Sequence, residues 1–260
     1  MADPVEVKRE NAVLTITINR AERRNALNEA VAKGIAAGLD GAEADRSIRV
    51  VVLTGAGKDA FCAGGDMKPA TDGAPFTIDP ADPRHYVADL LRRMDACRLP
   101  LIARLNGHAL AGGFGLACAC DLVVAREDAL LGVPEVRVGL FPMMILPYLL
   151  RVVPYRVLMD LCFTGEPITA VEAERLNIVN STAPATELDA KVAALVDRVA
   201  GKSPSGIRLG KQALSKIREM SVDSALEYAQ FMLANMARTR DAREGFAAFN
   251  ERRAPQWTGE

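Results

Sequence analysis

Two short glycine-rich segments carry the residues best placed to do chemistry: "FCAGGD" at 61–66 and "LAGGFG" at 110–115. The first follows a strand-like run ending at Gly55 and the second a run ending at Leu105, so each sets glycines where a strand gives way to a helix. Backbone N–H groups at such a turn have no intrahelical partner, and the missing Cβ lets another group come close. The helix start adds partial positive charge, which suits a developing oxyanion. One such turn is a common steric device. Two in successive strand–helix units suggest paired donors around one oxygen, an arrangement in which losing a donor costs about 3 kcal/mol of barrier. The second segment contains no acid: residues 106–120, "NGHALAGGFGLACAC", include no carboxylate.

Other motifs fail on inspection. "TGAGK" at 54–58 hints at a phosphate loop, but that motif needs a glycine where Val52 stands and a Ser or Thr where Asp59 stands. The Gly-Gly-x-Gly at 112–115 lacks the spacing of a dinucleotide fingerprint, and there is no Gly-x-Ser-x-Gly. His85 and His108 with Cys118 and Cys120 match no common zinc spacing, so these read as buried thiols and ordinary histidines, and no metal is expected.

The elements that must hold these turns alternate in type. "VLTITI" at 13–18 has the period of a half-buried strand, and residues 28–40 space Val31, Ile35 and Leu39 as a helix does. "RVVVLTG" at 49–55 is a continuous β-branched run typical of a buried strand. A helix over 83–98, the strand "LIARL" at 101–105, a short helix and the strand "DLVVA" at 121–125 follow. This alternation predicts an α/β architecture. From about Met143 the chain reads as mostly helical: 146–162, 170–176, 188–200, 205–220, 224–238 and 241–253. The last two carry apolar residues at three- and four-residue intervals, which must cover the protein's own core or a neighbouring subunit. The proline-containing stretch 69–84 reads as a long loop, a pocket wall or a disordered segment.

Composition excludes several classes. The 260 residues carry 32 basic and 33 acidic side chains, a net charge of −1, so no field favours nucleic acid or an anionic membrane. Five cysteines without framework spacing read as buried free thiols of a reducing compartment. The charged start "MADPVEVKRE" does not look like a secretory signal, and the longest apolar run, 140–150, is too short and proline-broken to span a bilayer. A cytoplasmic protein is expected.

Four blocks, "NRAERRNALN" (19–28), "AGKDAFCAGGDMK" (56–68), "NGHALAGGFGLACACDLVVA" (106–125) and "GVPEVRVGLFP" (132–142), fall in the order and spacing of the crotonase, or enoyl-CoA hydratase/isomerase, superfamily. "TGEPITAVEAERLNIVN" (164–180) and "AREGFAAFNERR" (242–253) fit as well, so the resemblance spans nearly the whole chain. It implies a spiral of repeated ββα turns over about 1–195 for acyl-CoA binding and catalysis. A C-terminal helical trimerisation region over 196–260 and assembly as a trimer or dimer of trimers are implied too. The implied substrate is an acyl-CoA thioester, with no cofactor beyond that coenzyme A.

Carried over residue by residue, the N–H groups of Gly65 and Gly112 would hold the thioester oxygen. Polarising that carbonyl acidifies the α-carbon and stabilises the enolate formed on proton loss. Arg24, Ala26, Leu27, Ala63, Asp66, Met67 and Lys68 match the positions around the CoA arm and nucleotide, where Lys68 would meet phosphate as a point charge. Taken alone, Lys68 reads as a solvated surface lysine. Phe249 and Trp257 match positions that line a neighbouring subunit's adenine site or pack at the interface, with packing the first reading.

Hydratases of the superfamily use two glutamates, one three residues after the second oxyanion glycine and one in the "PE" segment. Here the first position is Gly115 and the second is Glu135. Taken alone, Glu135 is a carboxylate well placed at a helix start after Pro134. Within the constellation it is the candidate general base or acid. One carboxylate suffices for a double-bond isomerase, which removes a proton beside the thioester and returns it two carbons away on the same face. Hydration asks for a second group, for which Asp72, Asp79, Asp82 and His85 are candidates. Met143, Met144 and Ile145 suggest an apolar acyl pocket, with core packing as the other reading. Δ3–Δ2 isomerisation is therefore set ahead of hydration. Thioester hydrolysis and a non-catalytic acyl-CoA binder are the further alternatives.

Overall fold

A computed structural model describes residues 3–66, 81 and 84–260. Among these, the core begins with the antiparallel hairpin β1 (Val5–Glu10) and β2 (Val13–Ile18), followed by helix α1 (Glu29–Ala44). Strand β3 (Val50–Gly55) pairs in parallel with β2. Three turns of a spiral follow, each giving one strand to each of two sheets. The first supplies β3 and β4 (Ala60–Cys62), then helix α2 (Tyr86–Ala96). The second supplies β5 (Leu101–Leu105), β6 (His108–Leu110) and helix α3 (Gly112–Ala119). The third supplies β7 (Leu122–Arg126), β8 (Leu130–Gly132) and a 3-10 turn at Pro134–Val138.

Helices α4 (Leu146–Val152) and α5 (Tyr155–Thr164), strand β9 (Ile168–Thr169), helix α6 (Ala170–Arg175) and strand β10 (Ser181–Ala183) complete the core. Among the described residues the large sheet runs β1-β2-β3-β5-β7-β10 and the small one β4-β6-β8-β9. Helices α7 (Leu188–Ala200), α8 (Pro204–Ile217), α9 (Val222–Met236) and α10 (Arg240–Glu251) end the chain.

The continuous apolar run of β3 has a direct cause. Val51 and Leu53 join the main core beneath α1 and α2, while Val50 and Val52 face Leu188, Val192 and Val196 of α7. A strand covered on both faces has no polar side to show. Helix α7 therefore packs on the sheet, and residue 195 falls within it. The faces of α9 and α10 instead leave Leu226, Phe231, Leu233, Phe246 and Phe249 exposed. All five cysteines are free thiols, four buried and Cys120 half-buried. No helix among the described residues is long and apolar enough to cross a membrane.

One expectation is corrected, and two features had no reading in the sequence. The helix expected over 146–162 is two helices, because Pro154 supplies no N–H and its ring excludes a continuous turn, so α5 starts after it. The N-terminal "VEVKRE" forms an edge strand in which only Val5 is buried, so its charged residues face solvent. Strands β4, β6 and β8 lie between the longer strands and the features that follow them. Each is three residues long, too short for a readable period.

Candidate active site

The two glycine turns meet because buried asparagines tie their loops together. Asn106, just after β5, donates from Nδ2 to the carbonyls of Gly57 (3.0 Å) and Ala60 (3.1 Å), and its Oδ1 accepts from the Gly55 N–H at 3.0 Å. Asn25 donates to the carbonyls of Ala56 (2.9 Å) and Ala60 (2.7 Å) and accepts from the Arg20 N–H. Both asparagines are buried, so each polar atom must find a protein partner, and together they clamp the β3–β4 turn. Arg20 adds a second staple, donating to the Ala26 carbonyl at 2.6 Å and pairing with Asp66 at 2.8 Å. These three positioning residues sit inside quoted motifs, yet no role was read for them. A buried Asn before a turn glycine was the available signal for Asn106.

Gly65 does not start a helix, contrary to the expectation. It forms a parallel bridge with Leu27, in which the Leu27 N–H donates to the Gly64 carbonyl (2.7 Å) and the Asp66 N–H donates to the Leu27 carbonyl (2.8 Å). In a parallel bridge the central residue's own N–H points away from its partner strand, so that of Gly65 is turned away from Leu27. Gly112 is the first residue of α3, where the helix provides no acceptor for its N–H. Close packing holds the two together: a Cβ on Gly112 would lie 3.1 Å from Leu27 Cδ1 and 3.7 Å from Gly64 Cα. Gly64 has φ +99°, and a Cβ there would meet Ala111 Cβ at 2.7 Å. Only glycine satisfies both the backbone conformation and the close approach.

Both glycines line a cavity of about 540 Å³. Much of its lining is apolar, from Val138, Leu140, Phe141, Met143, Met144 and Ile145. Among the described lining residues Glu135 is the only carboxylate. The 3-10 turn Pro134–Val138 places it: Pro134 opens the turn, Gly139 closes it at φ +77°, and the Glu135 carbonyl accepts the Gly139 and Leu140 N–H groups. Oε2 of Glu135 is buried and has no hydrogen-bond partner among the described residues. Burial holds its carboxyl above the usual carboxylate range. Cys162 of α5 lies close enough that, after its own burial, the Glu135 charge also keeps its thiol protonated.

Gly115 lies one turn into α3, and the space its side chain would need is taken. A Cβ there would overlap Cγ2 of Ile145 and stand 2.5 Å from its Cβ. Ile145 is only 2% exposed. An acid at this position is therefore excluded by volume as well as by residue type.

The remaining candidates divide. His85 lines the cavity, and its Nδ1 accepts the Val87 N–H at 3.2 Å, capping α2. Burial lowers its pKa, so it stands as neutral imidazole with the proton on Nε2, a donor and not a base. Leu27 and Ala63 line the cavity, whereas Arg24 is exposed in a left-handed conformation (φ 49°) and Ala26 is half-buried. Asp66 is ion-paired with Arg20. Phe249 is 83% exposed on α10 and does not line its own chain's cavity. Met67, Lys68, Asp72, Asp79 and Asp82 lie outside the described residues.

Residues 8–260 match the family described as enoyl-CoA hydratase/isomerase. The chain belongs to that family. Its fold is the crotonase fold, and it is an acyl-CoA enzyme of the enoyl-CoA hydratase/isomerase group. It is 34% identical over 255 residues to the 2,3-dehydroadipyl-CoA hydratase of Escherichia coli K12, covering 97% of this chain and 98% of that protein. It is also 34% identical over 266 residues to the (E)-benzylidenesuccinyl-CoA hydratase of Thauera aromatica, covering 98% and 99%. The crystal structure of an enoyl-CoA hydratase from Mycobacterium tuberculosis superposes with a TM-score of 0.89 at 35% identity over the full length of both chains.

Proposed function

We propose that this enzyme moves the double bond of an unsaturated acyl-CoA from the 3- to the 2-position through an enolate. In this reading the N–H groups of Gly65 and Gly112 hold the thioester oxygen. Such donors stabilise the charge that develops there when the α-proton leaves. Glu135 removes that proton and returns it two carbons away, on the same face. Its raised proton affinity suits a group that must both take and give a proton near neutral pH. Leu27 and Ala63 would flank the bound thioester. Arg24, Ala26, Asp66, Met67 and Lys68 would surround the CoA arm and nucleotide, with Phe249 reaching a neighbouring subunit. Trimeric assembly would cover the apolar faces of α9 and α10. No further cofactor is required by enolate chemistry.

One observation carries the preference for isomerisation: Ile145 fills the volume beside Gly115, so among the described lining residues Glu135 faces the cavity without a second carboxylate. Hydration is the second reading, favoured by the names of the relatives, which are hydratases. The purified enzyme should be given medium-chain trans-3- and trans-2-enoyl-CoA, with products separated by chromatography and weighed. The expected result is 2-enoyl product from the 3-enoyl substrate without a gain of water. Robust formation of 3-hydroxyacyl-CoA would favour hydration, free CoA would mark hydrolysis, and no turnover would indicate a binder.

A further inference from the structure

We propose that Gly115 and Ile145 together decide which reaction this site performs. The Ile145 side chain plugs the position from which α3 would otherwise present a second proton-transfer group. This inference rests on the isomerase reading above and supplies its physical cause. Gly115 and Ile145 are thirty residues apart in sequence yet share one volume. A Cβ on Gly115 would overlap Ile145 Cγ2, stand 2.5 Å from its Cβ and 3.4 Å from its Cδ1. The three heavy atoms nearest to such a Cβ outside its own helix backbone all belong to Ile145. Ile145 is also buried and lines the same cavity as Glu135.

The chemistry follows from the missing group on α3. Adding water to a 2-enoyl thioester requires one group to take a proton from water as its oxygen bonds to the β-carbon. A proton must also be delivered to the α-carbon, closing the balance as enoyl thioester plus water to 3-hydroxyacyl thioester. With Ile145 in place, α3 gives Glu135 no second proton-transfer group, which favours return of the proton to carbon. Glycine at 115 and a branched side chain at 145 are thus two halves of one device. Neither half alone would set the outcome.

The test compares the wild type, Gly115→Glu, Ile145→Gly and the double variant, reading the ratio of hydrated to isomerised product together with Tm. Gly115→Glu alone should lower Tm without gaining hydration, and Ile145→Gly alone should open space without supplying an acid. The double variant should regain Tm relative to Gly115→Glu. Its hydration ratio should rise by about 10²-fold or more, the lower end of what a positioned acid contributes. A folded, isomerising double variant with an unchanged ratio would overturn the inference, as would a Gly115→Glu protein that folds at the wild-type Tm and hydrates. Should the double variant fail to fold, Gly115→Ala is compared in the Ile145 and Ile145→Gly backgrounds. A Tm loss confined to the first supports the shared volume, and an equal loss in both overturns it. Failure of the isomerase reading itself would be seen in the wild type alone, as hydration without double-bond movement.

Discussion

Replacing Glu135 with glutamine removes one charge and almost no volume, and two effects of opposite sign follow. Activity falls because the cavity then has no carboxylate among its described lining residues. A positioned general base contributes about 10² to 10⁴ in rate, or roughly 3–5 kcal/mol of barrier. Stability should move the other way. Burial raises the folded-state pKa of Glu135 above its ordinary value, so the folded protein holds this proton more tightly than the unfolded chain. Stability from this group is therefore full below the ordinary value of 4.5 and is lost as pH rises through the raised folded value. At pH 8 the wild type carries a buried carboxylate oxygen without a partner, a burden of about 1 kcal/mol after allowance for its partial exposure. Glu135→Gln should thus show a kcat reduced by at least about 10²-fold. Its Tm gain over wild type should grow between pH 4 and pH 8. Steady-state isomerase kinetics and thermal melts across that range provide both readouts. Activity within about tenfold of wild type, or a Tm difference that does not grow with pH, would refute the assignment.

Further substitutions test the frame around the site. A Cβ on Gly113 would overlap the Cys62 carbonyl oxygen and lie 2.7 Å from its carbon, so Gly113→Ala should destabilise by about 1–3 kcal/mol in denaturant unfolding. Asn106→Ala leaves the Gly55 N–H and the Gly57 carbonyl without their partner, removes one of two donors to the Ala60 carbonyl, and should cost about 2 kcal/mol, with kcat falling as the glycine turns loosen. His85→Ala should cost about 1 kcal/mol through the lost cap of α2. Its kcat for isomerisation should stay within about tenfold of wild type, because a neutral imidazole whose Nδ1 is engaged does not serve as the base.

Legibility in the sequence followed length and locality. The runs that became β2, β3, β5 and β7 could be read because burial on one or both faces leaves a periodic or continuous apolar signature. Helix α1 showed its stripe for the same reason. The small sheet was invisible because β4, β6 and β8 have three residues each, set among glycines that obscure any period. Glu135 and the two glycines were named through the family resemblance, whereas the bridge from Gly65 to Leu27 is a non-local pairing with no local signal. The same holds for Ile145. It read as part of an apolar wall, and only the packing of residues thirty positions apart revealed that it occupies the place of a side chain on Gly115.

The central claim is that one carboxylate on one side of the bound substrate both removes and returns the proton. It is tested most directly with a 3-enoyl-CoA stereospecifically deuterated at the α-carbon, converted by the wild type and examined by NMR for the position and face of the label. The account predicts loss of the label from one face of the α-carbon, delivery at the carbon two positions away on that same face, and some transfer of the abstracted deuterium itself. Delivery from the opposite face, with the label lost entirely to solvent, would contradict it and require a second group across the cavity from Glu135.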